Sequence, residues 1–143
     1  MHDRPGLGRF LDAQAPVYEG VVEELRRGRK ATHWMWFVFP QVAGLGRSEM
    51  SRRYAISSLE EAREYLSDPV LGARLRECAG IVAASEAPSA VSVFGPVDAQ
   101  KLRSSMTLFM RAAPEEEAFR HVLDRYFGGR PDPATDELLA GNP

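Results

Sequence analysis

The chain has 143 residues, of which 44% are hydrophobic and 27% charged, as is usual for a soluble globular protein. We therefore predict one domain over residues 1–143, with disorder at residues 1–6. A single cysteine, Cys78, excludes an internal disulfide, and the longest apolar run is too short to cross a membrane. The net charge of −2 gives no strong nucleic-acid signature. We expect a cytoplasmic monomer without a metal or a cofactor.

The N-terminal part of the chain carries the periodicity of two helices. Apolar residues within 7–11 and within 18–25 recur at helical spacing, with a bend near Pro16. Gly28 follows a basic pair and is placed to end the second helix.

A run of aromatic and β-branched residues at 33–39 interrupts this pattern. Its composition is typical of a strand, yet no second convincing strand exists to pair with its backbone. We therefore predict a buried helical or irregular segment here, which Pro40 closes.

Helix caps mark the rest of the chain. Ser58 and Glu61 have the spacing of a capping box. Other candidate helix starts are Asp68, Ser89, Asp98, Pro114 and Asp132, and Gly128 is a candidate stop. The pattern predicts an all-α fold, a single compact domain of about six to eight helices.

The densest group of chemically capable residues lies at 28–48. Its tryptophans offer flat faces for a ring, and its Gly-x-Gly-Arg-Ser turn offers backbone amides and an arginine to a phosphate. Each also has an ordinary interpretation, because aromatic residues fill cores and arginines cover surfaces. His33 is the candidate catalytic residue here, and the candidate ligand-binding residues are Arg29, Lys30, Trp34, Trp36, Gln41 and Arg47.

A second group lies at 94–109, on a predicted helix. Lys101 and Ser104 share its polar arc, which either packs against another helix through small residues or forms a wall of an anion site. Asp98 is either a helix cap or a general acid or base. Asp98 therefore joins the catalytic candidates, and Lys101 and Ser104 join the ligand-binding candidates.

Both groups resemble the domain of unknown function 1810 family. The resemblance is carried by His33-Trp-Met-Trp-Phe-Val-Phe-Pro-Gln41, Gly44-Leu-Gly46-x-Ser48, Phe94-Gly-Pro-x-Asp98 and Lys101-Leu-Arg-Ser-Ser-Met-Thr-Leu-Phe109. It extends over about residues 9–140 and implies a compact all-α fold in an uncharacterised bacterial protein. Members sometimes carry the label calpastatin, but this chain has none of the disordered repeats of a calpain inhibitor.

The chain is more distantly similar to the NADAR (NAD- and ADP-ribose-associated) proteins. The similarity lies in the aromatic-rich segment, a Pro-x-Leu-x-x-x-Leu helix and an aromatic-Gly turn. It implies N-glycosidic and ADP-ribose chemistry, and no catalytic residue is carried over from it.

These features predict a protein that binds or hydrolyses a phosphorylated nucleoside derivative, such as an ADP-ribose-type N-glycoside. In that hypothesis one tryptophan stacks on a ring, the basic residues neutralise phosphate, and His33 or Asp98 assists cleavage. The alternative is a non-catalytic interaction module that docks an acidic protein or RNA through its basic segment. That segment, residues 23–53, has seven basic residues against three acidic ones.

Overall fold

Nine α-helices account for most of residues 5–141, the part of the chain that the computed structural model describes. The all-α prediction is confirmed, with one helix more than the upper predicted number. Residues 5 and 6, predicted to be disordered, begin the first helix, and the prediction for residues 1–4 lies outside the described residues. The helices are α1 (Pro5–Gln14), α2 (Tyr18–Arg27), α3 (Met35–Val38), α4 (Glu49–Arg53), α5 (Leu59–Ser67), α6 (Leu71–Ala84), α7 (Ala90–Ala112), α8 (Glu117–Phe127) and α9 (Pro133–Gly141).

Local sequence signals set several of the helix ends. Ser58 Oγ accepts a hydrogen bond from the Glu61 amide at 3.1 Å, as the predicted capping box requires. The Glu61 carboxylate accepts a hydrogen bond from the Ser57 amide at 2.7 Å, one residue earlier than the capping box predicts. Ser89 caps α7 with its side chain, and Gly28 ends α2 in the left-handed conformation at φ 76°. These bonds satisfy backbone groups that helix ends leave unpaired.

The aromatic run at 33–39 forms a single helical turn, α3, which agrees with the predicted buried helical or irregular segment. In the described residues the only strand-like pairing is one parallel bridge between Val42 and Ile56. The Phe37 carbonyl instead accepts a hydrogen bond from Gln14 Nε2 at 2.8 Å. Because a buried side chain satisfies this carbonyl, the segment needs no partner strand there.

The longest helix, α7, bends at Gly95. Gly95 has φ 81° and ψ 165°, a conformation that essentially only glycine adopts, and Pro96 then begins a second helical stretch. Asp98, considered from the sequence as a helix cap, therefore lies inside the first turn of that stretch. Its carboxylate suits the positive end of the helix dipole.

The core gathers around α7, which packs against α5, α8 and α9. Phe109 of α7 contacts Tyr65 and Phe119, with ring centroids 5.3 and 5.8 Å away. Trp34 and Phe39 are buried in the same core, so the segment around α3 is part of it. Within the described residues, no helix combines the length and the apolar character needed to span a bilayer.

Candidate ligand site

Two lysines and an aspartate form an ion cluster that joins the two groups of candidate residues. Lys30 Nζ lies 3.0 Å from Asp98 Oδ2, and Lys101 Nζ lies 3.4 Å from Asp98 Oδ1. The side chains of Asp98 and Lys101 are each 20% exposed, and that of Lys30 is 9% exposed. We call Lys30, Asp98 and Lys101 the lysine cluster. Its two positive charges and one negative charge give it a net charge of +1.

Lysine is rare in this chain. Of the 18 basic residues counted as Lys or Arg, only Lys30 and Lys101 are lysines, and both contact the same carboxylate. An ammonium is a compact charge with three rotatable donors, whereas a guanidinium is a rigid planar fork. Both lysines were candidates from the sequence, but their contact with one carboxylate was not predicted.

The ends of α2 and the bend in α7 position the lysine cluster. After α2 ends, the Lys30 amide donates to the Val93 carbonyl at 2.8 Å, which fastens the following loop to the start of α7. Beyond the bend at Gly95, Asp98 and Lys101 are three residues apart on the second stretch and meet on one face. The loop and the helix therefore present their charges on a common surface.

A buried carboxylate, Glu24 of α2, holds the loop in place. It accepts hydrogen bonds from the Ala31 and Thr32 amides (2.7 and 3.1 Å), the Thr32 hydroxyl (2.6 Å) and the Trp34 indole (2.9 Å). Burial alone would raise the pKa of Glu24, but these hydrogen bonds outweigh it and lower the pKa to about 2. Sequence analysis missed Glu24, although a glutamate beside Leu25 on an apolar stripe is a detectable signal.

The two tryptophans differ in accessibility. Trp34 is 1% exposed, and its ring meets Phe94 edge-on with centroids 6.5 Å apart, so no ligand reaches its face. Trp36 is half-buried, and Lys101 Nζ lies 5.0 Å from its ring centroid. Lys30 Nζ lies 5.1 Å from the Trp34 ring centroid. Each ammonium thus rests on an indole, and Trp36 is the indole with accessible surface.

Four other predicted residues lie around this cluster or beyond it. Arg29 and His33 are exposed on the loop that carries Lys30. Gln41 is half-buried, and its carbonyl accepts a hydrogen bond from the Ile56 amide at 2.8 Å. Arg47 is exposed, and within the described residues no contact joins it to the lysine cluster.

The glycines of the Gly-x-Gly-Arg-Ser turn have a packing reason. A Cβ atom on Gly44 would lie 3.1 Å from Leu138 Cδ2, and a Cβ atom on Gly46 would collide with the Ser51 side chain. Gly44 also has φ 106°, which other residues rarely adopt. Close packing therefore accounts for both glycines without a bound phosphate.

Ser104 lies on the buried side of α7, where it connects α7 to α9. It is 2% exposed, and its hydroxyl donates to Asp132 Oδ2 at 3.1 Å. Asp132, predicted as a helix start, accepts from the Thr135 amide at 3.0 Å and so caps α9. The structure thus brings Trp36 to the lysine cluster and does not bring Ser104 there.

The sequence matches the family described as "Protein of unknown function (DUF1810)" over residues 4–139. The chain belongs to the DUF1810 family. A solved structure, that of the conserved hypothetical protein Rv1873 from Mycobacterium tuberculosis, is 56% identical to this DUF1810 protein and has a TM-score of 0.92. The similarity covers 94% of this chain and 96% of that chain. Among curated proteins, no match is found.

Proposed function

We propose that this DUF1810 protein binds a phosphorylated nucleoside derivative, such as an ADP-ribose-type ligand, at the lysine cluster. The observation that carries the proposal is the meeting of both lysines of the chain on Asp98, between an exposed loop and a bent helix. In this proposal Trp36 stacks on the ring of the ligand, and Lys30 and Lys101 bind its phosphates.

The donors of the lysine cluster are only partly used. Lys30 Nζ donates to the Thr32 carbonyl at 2.6 Å and pairs with Asp98, and Lys101 pairs with Asp98. Each ammonium has three donors, so Lys30 has one donor outside these contacts and Lys101 has two. Lys101, at 20% exposed, is the more accessible of the two, and Lys30 is 9% exposed. The exposed Arg29 adds a further positive charge on the same loop. Such charge-assisted bonds are each worth about 1.5–3 kcal/mol when partly buried.

Hydrolysis is the catalytic form of the same proposal. Cleavage of an N-glycosidic bond needs a group that accepts a proton from water and, unless the base leaves as a neutral molecule, a group that protonates it. Asp98 is the proposed base because it is the carboxylate that contacts both phosphate-binding lysines. His33 is the proposed acid because it is exposed on the neighbouring loop.

The scarcity of lysine permits a direct test of binding. Incorporation of 13C-labelled lysine labels Lys30 and Lys101 and leaves all three donors of each ammonium intact. Addition of ADP-ribose should shift both lysine signals in a 13C–1H spectrum, while Lys30→Arg and Lys101→Arg assign them. The expected shifts saturate as ligand is added. In Lys101→Met, the remaining Lys30 signal should no longer shift.

The matched control is Arg120→Met, which removes an exposed positive charge from α8, and it should leave the titration unchanged. If ADP-ribose, NAD and sugar phosphates all leave both lysine signals unmoved at millimolar concentration, the proposal is wrong. Release of nicotinamide from NAD, slowed by Asp98→Asn, would establish the catalytic form.

A second function, docking of an acidic protein segment, is favoured by a different surface. A cavity of about 690 Å³ lies between the ends of α2 and α6 and the loop before α7, and Arg26 and Arg27 line it. Both arginines are exposed and, within the described residues, neither forms a salt bridge. Ile81 and Pro88 supply apolar lining, which suits a peptide side chain better than a nucleic-acid backbone.

This second function predicts salt-dependent capture of a fluorescent peptide that alternates glutamate and leucine. Arg26→Glu with Arg27→Glu should weaken the capture, and raising the salt concentration should weaken it further. The control is Arg120→Glu. If poly(U) binds more tightly than the peptide, the partner of this surface is RNA and not an acidic protein.

A further inference from the structure

We infer that α2 pairs in antiparallel orientation with α2 of a second copy of this chain, so that the protein forms a dimer through Arg26 and Arg27. The inference deepens the second proposed function, on which it rests, by naming the acidic partner as the same chain. It replaces the monomer that we expected from the sequence. Its basis is the order of charges along the outer face of α2 and the cavity beside that face.

The outer face of α2 is acidic in one half and basic in the other. Its charged residues recur at intervals of three, four and seven residues, which places them on one side of the helix; they are Glu19, Glu23, Arg26 and Arg27, and all are exposed. None of the four forms an ion pair with another residue of 5–141, although Glu23 and Arg27 have a suitable spacing. Two carboxylates and two guanidinium groups are therefore available to a partner on this face.

Antiparallel pairing brings opposite charges of this face together. An α-helix rises about 1.5 Å per residue, so Glu19 and Arg26 are about 10 Å apart along the axis, and their midpoint lies between Val22 and Glu23. A two-fold axis through that midpoint, perpendicular to the helix, places Glu19 of each copy opposite Arg26 of the other. Parallel pairing would instead place glutamate opposite glutamate, which repulsion disfavours.

A cavity of about 510 Å³ beside α2 supplies an apolar centre for the contact. Tyr18 and Val22 line it, together with the four charged residues of α2 and with Glu77 of α6. Val22 is half-buried, and the two-fold axis passes beside it, so Val22 of the second copy comes to the mouth of the cavity. An apolar centre with a charged rim is typical of a protein–protein interface.

A simpler account of these charges is the helix dipole, which favours an acid in the first turn and bases in the last turn. It accounts for Glu19, Arg26 and Arg27, but Glu23 lies beyond the first turn. The dipole acts within one copy, so it predicts a monomer at every protein concentration. Antiparallel pairing predicts a dimer that forms with rising protein concentration and dissociates in salt.

Sedimentation velocity of the full chain, from about 10 µM to about 1 mM, measures this association. Because α2 has only ten residues, we expect a weak dimer with a dissociation constant of roughly 100 µM at low salt, rising roughly tenfold in about 0.5 M NaCl. Arg26→Glu with Arg27→Glu makes the face wholly acidic, and Glu19→Lys with Glu23→Lys makes it wholly basic. Neither variant should dimerise alone, whereas an equimolar mixture of the two should form a heterodimer.

The control is Arg120→Glu with Arg130→Glu, which reverses two exposed charges elsewhere and should leave the dimer unchanged. A wild-type monomer at about 1 mM and low salt overturns the inference. So does a dimer that Arg26→Glu with Arg27→Glu leaves intact, and so does a mixture that fails to associate although both variants melt cooperatively. If the wild-type monomer still captures the glutamate–leucine peptide, the second proposed function stands and only its occupant is wrong. If it captures no peptide either, both are wrong.

Discussion

Glu24→Gln tests whether one buried carboxylate, rather than the surrounding aromatic core, fixes the loop after α2. Glutamine keeps the size of the side chain and one acceptor oxygen but replaces the other oxygen by an NH2 group. The Ala31 amide and the Trp34 indole donate to Oε1, and the Thr32 hydroxyl donates to Oε2. In the variant at least one of these donors therefore loses its acceptor.

The size of the effect follows from the pKa of Glu24. The hydrogen bonds lower this pKa from 4.5 to about 2, and one pKa unit corresponds to about 1.4 kcal/mol. The ionised carboxylate thus adds about 3 kcal/mol to the free energy of unfolding. Because the folded pKa lies below the unfolded value, this contribution is complete above pH 4.5 and is lost as the pH falls toward 2.

Guanidinium unfolding of wild type and Glu24→Gln at several pH values measures this contribution. The difference in the free energy of unfolding should be about 3 kcal/mol at pH 7 and should shrink steadily below pH 4.5. Glu23→Gln, at an exposed neighbouring position, controls for a change of net charge and should differ little from wild type. A difference that stays constant from pH 7 to pH 2.5 would refute the role of the ionised carboxylate.

Three further predictions concern other parts of the molecule. Burial raises the pKa of Cys78 to about 12, so a thiol reagent at pH 8 should label it in denaturant and leave the native protein unlabelled; rapid native labelling would contradict this. Gly95→Ala should lower the free energy of unfolding by about 1–3 kcal/mol, because Gly95 has a positive φ and no neighbour that a Cβ atom would meet. Gly80→Ala, inside α6 with open space around it, should raise the free energy of unfolding by up to about 1 kcal/mol. Equal effects of the two substitutions would contradict this. Trp34→Phe removes one of the four donors to the Glu24 carboxylate and should lower the free energy of unfolding by about 1–3 kcal/mol in the same assay. A larger loss for Trp36→Phe would reverse our assignment of which indole is structural.

Helix ends were predictable because the groups that determine them are close in sequence. Ser58 and Glu61 are three residues apart, and their hydrogen bond forms whatever the rest of the fold does. The same holds for Gly28, whose left-handed conformation depends on the helix that precedes it. The all-α fold was predictable from such signals, because each of them marks the start or the end of a helix.

The assignment of the tryptophans needed the tertiary structure. Trp34 and Trp36 are two residues apart, so about 200° separates them around a helix, and burial of one leaves the other near solvent. Which of them is buried depends on how α3 docks, and the contact of Gln14 with the Phe37 carbonyl takes part in that docking. No local pattern records such a contact.

The lysine cluster was only partly visible in the sequence. Lys30, Asp98 and Lys101 were each candidates, but their meeting depends on the bend at Gly95 and on the bond from the Lys30 amide to Val93. The roles of these residues in ligand binding stay predictions, as do those of His33 and the remaining candidates.

The dependence of α3 on distant partners has a consequence for the order of folding. A four-residue helix cannot nucleate alone, because nucleation fixes several residues for one hydrogen bond. Its surroundings are completed by α1 through Gln14, by Ile56 through the bridge to Val42 and by α9 through Leu138 against Gly44. We therefore expect the segment to become ordered only when these partners have docked. Amides around α3 should accordingly exchange with solvent sooner than those in the middle of α7.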